Sequence, residues 1–62
     1  MNLEEIKAAV DAGKIVHWSN ERYTVVKDKW GNYLIVCDNG YTNGLTDANG
    51  VMYDLPELFY VE

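Results

Sequence analysis

Sixty-two residues make one domain, 1–62, and folding at this size removes only about 60 % of the unfolded chain's surface from water. A single cysteine, Cys37, excludes an internal disulfide, and with only one histidine no structural zinc site can be completed, so packing or self-association must supply stability. A net charge of −5 excludes general nucleic-acid binding, and no run of about 18 apolar residues is present to span a membrane.

Asn2 can cap a helix, with Glu5 three residues later completing a capping box. Leu3, Ile6 and Val10 then fall on one face with Ala9 beside them, and Gly13 suits a left-handed stop. The pattern predicts a short amphipathic helix over 3–12, marginal alone and therefore docked on a sheet. A β meander follows over about 14–61. Lys14 to Trp18 reads as its first strand, with Ile15 and His17 on one face and Val16 and Trp18 on the other. Ser19-Asn20-Glu21 is turn material.

The stretch Arg22 to Asp38 reads as a β-hairpin, with strands at 22–29 and 33–38 joined across Lys29-Trp30-Gly31-Asn32. Leu34 and Val36 alternate with Tyr33, Ile35 and Cys37, so the second of these strands is apolar on both faces. That predicts a central strand covered on both sides, with Val25, Val26, Leu34, Ile35 and Val36 forming the core under the helix. Residues 39–44 are the least regular part. Leu45-Thr46 and Val51–Tyr53 read as short strands about the turn Asp47-Ala48-Asn49-Gly50. Pro56 suits the first position of a single helical or 3₁₀ turn, and Phe59-Tyr60-Val61 a last strand.

The fold expected is α+β and mostly β: an N-terminal helix packed on a five- to six-stranded antiparallel meander. Strand count and the stretch Leu55–Val61, a 3₁₀-like turn before a last strand, make the layout similar to an SH3-like small barrel. An open antiparallel sheet under one helix is the alternative.

Chemistry is sparse. Cys37 lies in an apolar strand, where a thiol behaves as a small hydrophobe, and His17 reads as a strand residue rather than a base. Asp47, Asn49 and Asp54 lack the spacing of a calcium loop, and the glycines stand singly rather than in a phosphate cradle. Neither cofactor nor metal is expected, and the chain does not read as an enzyme. Recognition remains. Trp30 at a hairpin tip and Tyr41 in the irregular loop are of the types enriched at binding hot spots. Trp30 could instead fold back over Val26 or Tyr33, and Trp18 fits a core position as well as a contact. Arg22, Lys27 and Lys29 share the hairpin and could meet a phosphate or carboxylate. The candidate binding residues are thus Trp30, Tyr41, Arg22, Lys29 and Trp18.

The order Val16-x-Trp18, Tyr23-x-Val25, Asp28, Gly31-x-Tyr33-Leu34-Ile35, Gly44-Leu45-Thr46, Gly50 and Pro56-Glu57-x-Phe59 resembles small, functionally unassigned proteins encoded by phages and prophages. The resemblance spans most of the chain after residue 15 and implies a setting in which short proteins bind and block a host or defence component. Three functions stand open: a non-enzymatic module or inhibitor that binds a protein; a homo-oligomeric sponge holding a nucleotide-like small molecule between subunits; and a structural accessory subunit. The scattered carboxylates, the unpaired cysteine and an N-terminus without a signal-peptide layout point to a cytoplasmic protein, in the host cell if phage-encoded.

Overall fold

The computed structural model describes residues 1–62. Helix α1 spans Leu3–Asp11 and starts on the expected capping box. The Glu5 N–H donates to Asn2 Oδ1 and the Asn2 N–H to Glu5 Oε1, both at 2.8 Å. Ala12 caps the other end, and Gly13 turns the chain at φ +82°, a conformation open to glycine.

Five strands follow: β1 (Val16–Trp18), β2 (Asn20–Lys27), β3 (Tyr33–Cys37), β4 (Thr42–Gly44) and β5 (Phe59–Val61), with a 3₁₀ turn at Pro56–Leu58 before the last. They form one antiparallel sheet in the order β4-β3-β2-β1-β5. The chain is therefore α+β and mostly β, and the sheet is not closed: β4 and β5 are its edges.

Register sorts the side chains. Val16 lies opposite Val25, and Val25 opposite Ile35, so these three share one face. They are buried with Ile6 of α1, Leu45 and Phe59 as the core. Leu3, Ala9, Val10, Trp18, Tyr23, Tyr33 and Met52 pack around it. The far face carries His17, Thr24, Val26, Leu34, Val36 and Tyr60 and has no helix over it.

Several expectations need correcting. The middle strand is β2, and β3 lies one place from the edge, covered on one face only. Leu34 and Val36 are half-buried and Val26 is exposed, so of the five hairpin residues expected in the core only Val25 and Ile35 belong to it. Apolar residues on both faces mark a strand with an uncovered side rather than a doubly covered one. The first strand starts at Val16, not Lys14, and β2 starts at Asn20 because the turn contracts to Ser19 at φ 66°, beside a bulge at His17/Trp18. Segment 39–44 supplies β4. The two strands expected around 47–50 reduce to one bridge, Thr46 to Met52, because Asp47 Oδ1 accepts from the N–H groups of Asn49 and Val51 and tightens the turn.

Helix and hairpin are also held by polar groups. The Tyr33 hydroxyl donates to Asp11 Oδ1 at 2.8 Å, and Lys27 Nζ lies 3.5 Å from the same oxygen. Asp11 raises the pKa of Lys27 by its charge and that of Tyr33 by accepting its hydroxyl. Lys7 and Lys27 both lie over the Tyr33 ring, 5.4 and 5.5 Å from its centroid. No helix is long and apolar enough to cross a membrane.

Candidate binding surfaces

The β2–β3 hairpin keeps uninterrupted register from Tyr23 opposite Cys37 to Lys27 opposite Tyr33. Asp28 then builds the tip. Its N–H donates to Asn32 O at 2.8 Å and its carbonyl accepts from the Gly31 N–H at 3.2 Å. Its carboxylate Oδ1 accepts from the N–H groups of Trp30 at 2.9 Å and Asn32 at 2.8 Å. Gly31 sits at φ +85°, where a side chain would be strained. On this locked turn Trp30 stands 75 % exposed, not folded back over Val26 or Tyr33. The Lys29 ammonium lies over its ring, 4.6 Å from the centroid. The tip thus presents a cation stacked on a large aromatic face.

The other expected residues do not join it. Arg22 lies near the opposite end of β2, roughly 20 Å away at about 3.3 Å per strand residue. There it pairs with Asp38: Nε donates to both carboxylate oxygens at 3.2 and 3.3 Å, and Nη2 lies 3.1 Å from Oδ1. The pairing lowers the Asp38 pKa and raises that of Arg22. The pair borders a shallow depression of about 210 Å³ lined also by Glu21, Thr24, Val26, Val36 and Cys37. With Arg22 offset by Asp38 and Glu21 beside them, that depression has no excess positive charge with which to hold a phosphate. Lys27 is likewise engaged, by Asp11. Tyr41, 54 % exposed, belongs to the Arg22 end, where its carbonyl accepts from the Cys37 N–H. Trp18 packs against the core and meets the Tyr23 ring edge-on at 4.8 Å. Its buried Nε1 has no hydrogen-bond partner.

Sequence reasoning missed the most constrained ionisable group. His17 is only 4 % exposed. Its Nδ1 lies 2.8 Å from Tyr23 O and its Nε2 2.9 Å from Glu62 Oε1. A carbonyl and an ionised carboxylate can only accept, so both ring nitrogens donate and the geometry suits imidazolium. The hydrogen bond to Glu62, then that to Tyr23 O, holds the His17 pKa above its usual value. Its ring tilts against Tyr60 at 5.4 Å. A glutamate 45 residues away gives no local signal of this role. Cys37, opposite Tyr23, lies on the other sheet face from His17, opposite Thr24, so the only thiol and the only imidazole are kept apart.

No family model, curated protein or solved structure matches the chain.

Proposed function

We propose that the chain is a non-enzymatic binding module that engages a protein through the hairpin tip around Trp30. The observation that carries this reading is the exposed indole on a turn held by four hydrogen bonds to one aspartate. Exposing a tryptophan gives up its burial, and rigid support lowers the entropy lost when a partner covers it. The meander, whose last strand returns beside the first through a 3₁₀ turn, suits an SH3-like scaffold within this reading. The resemblance to small phage and prophage proteins extends it to an inhibitor that covers a host or defence component in the cytoplasm.

The test is parallel capture from a host lysate with the wild-type chain and Trp30→Ala, both checked for the same melting temperature. One partner retained by the wild type and lost by the variant supports the reading. Equal capture by both, or none by either, contradicts it.

A further inference from the structure

The crossover between β4 and β5 closes the core on the side of α1: Leu45 is buried with Ile6, Met52 packs beside them, and the Met1 amino group donates to Pro56 O at 2.8 Å. Its outer side has the wrong polarity for a simple cover. Val51, Tyr53 and Leu55 are 61, 62 and 60 % exposed, while Met52 and Asp54 between them are half-buried. A segment that only closed a core would turn its apolar side chains inward and its aspartate to water.

Charge is divided as unevenly. All five Lys and Arg lie within residues 1–29, balanced there by Glu4, Glu5, Asp11, Glu21 and Asp28. Residues 30–62 carry Asp38, Asp47, Asp54, Glu57 and Glu62 and no Lys or Arg. Asp38 is paired with Arg22, Glu62 with His17, and Asp47 closes its own turn, which leaves Asp54 and Glu57 of the crossover without an ion-pair partner. The cation that another element brings to the crossover is the Met1 ammonium, at Pro56; Lys14 lies by the far end of β5, where its neighbour Ile15 accepts the Glu62 N–H.

Resting on the reading of the chain as a binding module, we propose that Val51–Leu58 docks a cationic, amphipathic protein segment. Its Lys or Arg residues meet Asp54 and Glu57, and its apolar side chains cover Tyr53 and Leu55. Complementary charge selects this occupant. A second copy would bring the same acidic half, and nucleic acid or an anionic bilayer would bring like charge.

The test is amide shift mapping on the ¹⁵N-labelled full chain with a synthetic Leu/Lys amphipathic peptide about five helical turns long. Two control peptides carry Glu in place of Lys, or Ser in place of Leu. Shifts concentrated in residues 47–62, weakened by salt and absent with both controls, are the result expected. Tyr53→Ser with Leu55→Ser, or Glu57→Lys alone, should each weaken binding about tenfold without loss of fold. Shifts confined to residues 28–32 and abolished by Trp30→Ala would overturn the crossover proposal and leave the binding-module reading standing. Equal binding of a control peptide, self-association through residues 51–58, or no shift at all would also overturn it. Failure of the module reading itself shows separately, as lysate capture that ignores Trp30.

Discussion

At the scale of single residues, His17 shows how a group can be visible in a sequence while its role is not. Its ring nitrogens are enclosed by two acceptors, one of them supplied by the far end of the sequence. Because its folded pKa is raised, the stabilisation from protonation is fully present below about pH 6.5 and is lost as pH rises through the folded value. Thermal melts between roughly pH 5 and 9, a range that runs from below the ordinary histidine pKa of about 6.5 to well above it, should show this loss on the alkaline side. Glu62→Gln should lower the His17 pKa, read by NMR titration of the ring protons. An unchanged pKa would mean that Glu62 does not hold the ring. Cys37 was legible as a buried thiol because its neighbours in the strand are apolar. Trp30 was legible as a candidate but not as exposed, since nothing local distinguishes a ring in water from one folded back.

At the scale of elements, helix α1 was the most readable, because its capping box and apolar spacing are written within about ten residues. The hairpin was readable as a hairpin, yet its burial was not. Alternation places Leu34 and Val36 on one face of β3 but does not say whether anything covers it. The tip yields a sharper prediction. Asp28→Ala removes the acceptor of the Trp30 and Asn32 N–H groups. It should cost about 1 kcal/mol in denaturant unfolding and weaken partner binding by loosening the indole's support. Asp28→Asn, which keeps an acceptor oxygen, should restore most of both. Equal loss in the two variants would show that the aspartate's charge, not its turn, matters. The crossover was the least legible element, because Asp47 spends its carboxylate on closing a turn and leaves one bridge where two strands were expected.

At the scale of the whole molecule, stability and recognition separate. The core is six buried residues drawn from α1, β1, β2, β3, β5 and the crossover. Ile35→Ala, inside it, should destabilise the fold by about 2–5 kcal/mol. Val36→Ala, on the uncovered sheet face, should cost clearly less, and chemical denaturation of the pair measures the difference. Comparable losses would mean that the far face is covered in solution. The expected layer order, helix over sheet, came from the sequence because an amphipathic helix and alternating strands leave few other ways to bury their apolar sides. The partition between core and tip needed the register.

That partition is most directly tested by the dissociation constant of the captured protein partner for the wild-type chain and for Trp30→Ala. The account predicts an unchanged melting temperature and a loss of about thirtyfold or more, the scale of a binding hot spot worth about 2 kcal/mol. An unchanged dissociation constant with the fold intact would contradict it.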